Sequence, residues 1–120
     1  IPVPPIEIQL EIVKVLDKKK AIDIQALEIT EQTIVGDYFV IASGTSNTHV
    51  KSLADEIDYE LGLMGVTPSH IEGKATGWIL LDYGAVLVHV FTRETREYYN
   101  LEHLWQDARR VDLSDVVTEN

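Results

Sequence analysis

The sequence predicts an α/β (α+β) protein in which a mixed central β-sheet is flanked by helices. First, the apolar, strand-length run GDYFVIAS precedes a segment in which Val50, Leu53, Ala54, Ile57, Leu61 and Met64 follow the three-and-four spacing of a helix. With further strands after it, this order implies a crossover between strands, right-handed in nearly all cases when they are parallel. Second, WILLDYGAVLVHVF from Trp78 to Phe91 divides at Tyr83-Gly84 into two strands, a hairpin that adds antiparallel pairing. Third, 120 residues, 45% of them hydrophobic, suffice for one core, and with no cysteine that core has neither disulfide nor zinc-thiolate support.

Pro2 and the Pro4-Pro5 pair suit an extended lead-in, and the opening IPVPPI matches neither a signal peptide nor a basic amphipathic transit segment. From Ile6 to about Lys18, the residues Ile6, Leu10, Val13 and Leu16 lie near one side of a helix, with Glu7, Glu11 and Lys14 between them. AIDIQALEI alternates as a strand, and GDYFVIAS is a second one closed by Gly44. Ser46 or Asn47 caps the helix running to Met64, and Gly62 or Gly65 ends it. GVTPSHIEG is a connection with a short strand around Ile71, followed by the strands Trp78–Asp82 and Ala85–Phe91 about a tight Tyr83-Gly84 turn. Asn100 is positioned to cap a last helix with Leu101, Leu104, Trp105 and Ala108 on one face, Glu102 in its first turn, and Arg109 and Arg110 in its last. Residues 1–110 are expected to form a single domain and 111–120 a frayed tail.

Twenty acidic against ten basic residues give a formal charge of −10, which repels phosphate backbones and attracts basic partners. Between Ser52 and Gly73 the acids Asp55, Glu56, Asp58, Glu60 and Glu72 meet no base, a solvated helix face in the simplest reading. No apolar run approaches the roughly 20 residues of a membrane span. Direct nucleic-acid binding and membrane insertion are therefore disfavoured; a cytoplasmic location is expected, with an organelle stroma or matrix as the alternative.

SGTSNTH has one glycine and no Walker-type lysine, so a phosphate cradle is less economical than a helix cap. A nucleotidyltransferase-type site needs two or three converging carboxylates for magnesium, but Asp82 is followed by Tyr, Gly and Ala, and Asp23 is isolated. His49, His70, His89 and His103 include no pair at zinc-protease spacing, and Ser43 and Ser46 lack a nucleophile elbow. His89, between Val88 and Val90, reads as a neutral, hydrogen-bonded structural histidine. No catalytic residue, metal or cofactor is predicted. Trp105, on the apolar stripe of the last predicted helix, reads as core. Trp78 shares a strand face with Leu80 and Asp82 while Ile79 and Leu81 occupy the other, so both faces want cover, from helices or from a docked partner.

Three stretches in order, DYFVIASGTSNTHVKSLADEI, IEGKATGWILLDYGAVLVHVF and REYYNLEHLW, resemble the ribosomal silencing factor (Iojap-like) family over roughly residues 6 to 110. The resemblance implies a nucleotidyltransferase-like topology without the catalytic carboxylates. It also implies a non-enzymatic protein that binds the large ribosomal subunit through ribosomal protein L-fourteen, blocks joining of the small subunit and so represses translation; homodimers are implied as well. Carried over position by position, the partner-binding residues are Trp78, Leu80, Asp82, Tyr83, Tyr99, Asn100, Glu102 and Leu104. Two positions depart from the family pattern: Ala85 stands where an acid usually follows the hairpin glycine, and His103 where a basic residue is usual. The readings from other classes are a nucleotide-binding or nucleotidyltransferase-like enzyme that pairs the SGTS turn with Asp82, and a factor assisting assembly of the large subunit.

Overall fold

The computed structural model describes residues 4–28, 38–73, 77–100, 103 and 109–111. Its elements are α1 (Pro5–Lys18), β1 (Ile22–Glu28), β2 (Tyr38–Gly44), α2 (Asn47–Leu63), β3 (His70–Glu72), β4 (Trp78–Asp82), β5 (Val86–Thr92), α3 (Arg93–Tyr99) and β6 (Arg109–Arg110). The strands form one mixed α+β sheet in the order β3-β4-β5-β2-β1-β6. β2 and β5 are parallel at its centre, and the other neighbours are antiparallel. The two central strands are buried almost end to end, as expected when both faces of a parallel pair are covered.

Side-chain alternation divides the core in two. Ala26, Val40, Ala42, Ile79, Leu81, Val86, Val88 and Val90 point to the side where α1 and α2 pack. Leu27, Phe39, Ile41, Leu87 and Phe91 point to the other, with Trp78 and Leu80 packed against them. Each fully buried aliphatic side chain of this kind contributes about 1.5–3 kcal/mol.

α1 starts where Pro5 needs no N–H partner, with Pro4 in extended conformation before it. Its buried stripe is Ile8, Ile12, Val13, Val15 and Leu16, whereas Ile6 is 41% exposed, so the apolar face is rotated from the expected one. Alternating apolar residues leave two stripes available, and packing on α2 and the sheet selects the one built on Ile8, Ile12 and Val15. Gln9 is carried into the interior with it.

α2 is capped by Ser46, whose hydroxyl accepts from the His49 N–H at 3.1 Å. His49 in turn accepts from the Thr45 N–H at Nδ1 (2.9 Å) and meets the Lys19 carbonyl at Nε2 (2.9 Å), tying the end of α1 to the start of α2. Gly44 is required here because a Cβ would lie 3.0 Å from the Val50 backbone nitrogen. α2 ends in a paired motif: Gly65 N–H donates to the Gly62 carbonyl and Val66 N–H to that of Leu61, with Gly65 at φ +80°. Gly65 is therefore the terminating glycine, and Gly62 lies inside the helix.

Three elements correct the sequence reading. The hairpin connection holds three residues, since β5 begins at Val86 and Ala85 belongs to the turn. α3 is additional to the expected elements; Thr92 caps it by accepting from the Thr95 N–H, and Asn100, expected to open a helix, ends this one in left-handed conformation at φ 46°. Arg109 and Arg110 form a strand beside β1, not the last turn of a helix, because Glu28 and Leu27 pair with them. The stripe expected on Leu101, Leu104, Trp105 and Ala108 lies outside the described residues. Val111 N–H still bonds the Ala26 carbonyl at 2.8 Å, and the expected tail beyond it also lies outside them.

Candidate docking face

The sheet face opposite α1 and α2 gathers most of the described aromatic rings. The β4-β5 register sets Trp78 across from Phe91 and Leu80 across from His89, while Ile41 of β2 flanks His89 on its other side. Trp78 stacks on Phe91 at 5.2 Å between centroids, and the Tyr99 ring, delivered by α3, lies 4.6 Å from it. Tyr98 meets Tyr99 edge-on at 5.1 Å and is 82% exposed.

Arg96 anchors α3. Its buried guanidinium donates to Ser43 Oγ at 2.9 Å and to the Ile22 carbonyl, and pairs with Asp23 at 3.5 Å. Tyr99 is three residues further along the helix, on the neighbouring turn of the same side, so this anchor also places its ring. The sequence offered no signal for Arg96 beyond its charge.

His89 is 6% exposed and accepts from the Trp78 indole N–H at Nδ1, 3.2 Å away. Burial pushes its pKa down to about 4, so the ring is neutral near pH 7, as the sequence reading expected. With Nδ1 accepting, the remaining proton sits on Nε2, which has no hydrogen-bond partner among the described residues.

Trp78, Leu80 and Tyr99 come together on this face, and Asn100 is exposed beside Tyr99. Asp82 stands further along β4 on the same side, half-buried, with its Oδ1 accepting from the Gly84 N–H at 2.8 Å. Its carboxylate thus closes the hairpin turn, where Gly84 takes φ +80°. Tyr83 is not brought to the group: its ring packs against the helix-covered core. Its buried hydroxyl has no hydrogen-bond partner among the described residues, and desolvation, then the Asp58 charge, raise its pKa above the usual tyrosine value. Glu102 and Leu104 lie outside the described residues. Ala85 packs half-buried against the helix-covered core, and His103 is exposed. His89 and Phe91 join the cluster without having been singled out for it; the only signal was their two-residue spacing on the strand facing Trp78.

A second region is a polar cleft of about 640 Å³ lined by Thr45, Ser46, Asn47, Gly77, Thr92, Arg93, Glu94 and Thr95, at the C-terminal ends of β2 and β5. An enzyme pairing the SGTS turn with Asp82 would have to work here. The register separates the two: Gly44 pairs with Thr92 at one end of β5, and Asp82 with Leu87 near the other. Five strand residues of about 3.3 Å each hold them roughly 16 Å apart. Among the described residues no group of three or more His, Cys, Asp or Glu is arranged to hold a metal ion, and no helix is long and apolar enough to cross a membrane.

Fold and site together define a small mixed-sheet protein whose distinctive surface is a layer of rings, held by a buried arginine and a neutral histidine. The model of the family described as "Ribosomal silencing factor during starvation" matches residues 3–120. A Bacillus subtilis protein named ribosomal silencing factor is 43% identical over 98 residues, 81% of this chain and 83% of its own. A mouse protein named mitochondrial assembly of ribosomal large subunit protein 1 is 35% identical over 98 residues, 78% of this chain and 43% of its own length. A crystal structure of a Chromobacterium violaceum protein superposes with a TM-score of 0.84 at 33% identity, covering 87% of this chain and 88% of that one. The chain belongs to the ribosomal silencing factor family, whose role is ribosome-associated regulation of translation.

Proposed function

We propose that the protein binds the large ribosomal subunit in the cytoplasm through ribosomal protein L-fourteen, and that its bulk there prevents the small subunit from joining. The observation that supports this most is the convergence of Trp78, Leu80 and Tyr99, three of the positions that match the family's partner-binding residues, on one sheet face. Half-buried aromatic anchors of this kind supply most of the energy of protein interfaces. Asp82 and Asn100 form the polar margin, whereas Tyr83 belongs to the helix side of the sheet and the matched Glu102 and Leu104 lie outside the described residues. A net charge of −10 steers the protein to a basic ribosomal protein and away from the surrounding RNA. The action is steric and breaks no covalent bond.

Co-sedimentation with separated subunits tests the reading. The parent protein is expected to pellet with the large subunit only and to reduce reassociation of the subunits. Trp78→Ala is expected to weaken binding at least about 30-fold, the loss typical of a hot-spot residue. Asp82→Asn keeps the oxygen that closes the hairpin and removes the charge, so a small loss with an unchanged fold is expected. Equal pelleting with both subunits, or parental affinity in a folded Trp78→Ala variant, would sink the proposal. The mouse relative's name supports a second reading, assistance in large-subunit assembly through the same contact. Accumulation of immature large subunits on depletion, with subunit joining unaffected, would favour it.

A further inference from the structure

His89 sits in the middle of an apolar row, between Leu87 and Phe91 on its own strand face, with Leu80 and Ile41 opposite on the neighbouring strands. An aliphatic or phenyl side chain would fill that volume with no polar atom to satisfy. The histidine instead leaves Nε2 buried without a hydrogen-bond partner among the described residues, a cost in stability that calls for a compensating use. Among the described residues the polar contact its ring makes is the 3.2 Å bond accepted from the Trp78 indole. The bond runs diagonally across the hairpin, because Trp78 faces Phe91 directly and His89 two residues before it. Phe91 under the indole and Tyr99 beside it confine the same ring.

We propose that His89 is a positioning residue of the docking face: it fixes the Trp78 indole in one orientation before a partner arrives and consumes its N–H internally. This rests on the docking reading above. Two consequences follow from the geometry. The ring is presented already ordered, so less conformational freedom is lost on binding. With its N–H occupied, the part of Trp78 that remains accessible offers only hydrocarbon, and the surface it meets is an apolar pocket on a basic protein with no acceptor directed at the indole.

The test uses the full chain, purified large subunits, and the indole N–H resonances of the ¹⁵N-labelled protein, with that of Trp78 identified by its loss in Trp78→Phe. In His89→Phe the Trp78 N–H is expected to shift upfield and exchange faster with solvent, and Kd to rise about 3- to 10-fold, the range for loss of one neutral hydrogen bond. His89→Gln, which again offers an acceptor, is expected to recover part of both. In a Trp78→Phe background His89→Phe is expected to cause no further loss. An equal loss in that background, or a parental Kd in folded His89→Phe, would overturn the positioning role. Should His89→Phe not fold, His89→Gln decides: a parental indole signal with a Kd raised as far as in Trp78→Ala overturns it, and a parental signal with near-parental Kd supports it. If Trp78→Ala itself binds as the parent does, the docking reading fails first; if Trp78→Ala loses binding and His89→Phe does not, this inference alone fails.

Discussion

The two faces of the sheet are built from the same strands in strict alternation, yet they solve different problems. The helix-covered face is aliphatic: Ile79, Leu81, Val86, Val88 and Val90 meet Ile12, Leu16, Leu53 and Ile57 with no exposed surface to speak of. The opposite face is aromatic, contains a histidine, and leaves Trp78 and Leu80 half-exposed and Tyr99 exposed. Aliphatic packing maximises burial, whereas rings cover much area with few rotatable bonds and retain value at a half-open surface. One face holds the molecule together, and the other is shaped to be met.

Neighbouring leucines on β4 break or sharpen that contrast most directly. Leu81 is fully buried against the helices, so Leu81→Ala is expected to cost about 2–5 kcal/mol in urea unfolding. Leu80, one residue earlier and half-buried on the ring face, is expected to cost less than about 1.5 kcal/mol as Leu80→Ala while weakening binding to the large subunit. Equal stability losses from the two variants would dissolve the division of labour.

The division was partly readable beforehand. Period-two alternation in WILLD assigned Trp78 and Leu80 to one face and Ile79 and Leu81 to the other, and three-and-four spacing located α2. Local periodicity could not place Tyr83, because a turn residue has no strand parity, and its ring went to the helix side. It could not find α3 either, since TRETREYY has no apolar stripe and is held by a capping threonine and a buried arginine. β6 depends on pairing with residues more than 80 positions earlier, which no local pattern encodes. The Trp78–His89 bond likewise exists only once the hairpin register is known. In the sequence Asp82 stands out as a position matching the family's partner-binding residues; its oxygen also closes the turn, a role visible only when the Gly84 N–H is located.

Acid separates the faces by a second route, because the aromatic side holds the one group among the described residues whose pKa falls well below its ordinary value through burial alone. The His89 pKa is about 4 in the folded protein against 6.5 in the unfolded chain. Below pH 6.5 the unfolded chain takes up a proton that the native state refuses, so stability is intact above 6.5 and declines as pH falls towards 4. At pH 5 the expected loss from this residue is about 2 kcal/mol relative to pH 7.5. Urea titrations at the two pH values, run on the parent and on His89→Phe, isolate it from the carboxylates that titrate nearby. The parent should lose more stability on acidification than the variant; matching losses would mean that His89 is not buried neutral.

The helix side has its own exception in Gln9, which is fully buried on α1 with neither amide atom hydrogen-bonded among the described residues. An unsatisfied buried amide is paid for in stability, and unlike His89 this one orders no neighbouring ring on the docking face. Methionine is close to glutamine in volume and flexibility and has no donor to satisfy. Gln9→Met is therefore expected to stabilise the fold by about 1 kcal/mol, seen as a higher urea midpoint at unchanged slope, and to leave binding to the large subunit untouched. A lower midpoint would show that the amide meets a partner in solution; an altered affinity would show that the aliphatic layer reaches the docking face, so that the two sides of the sheet are not separable.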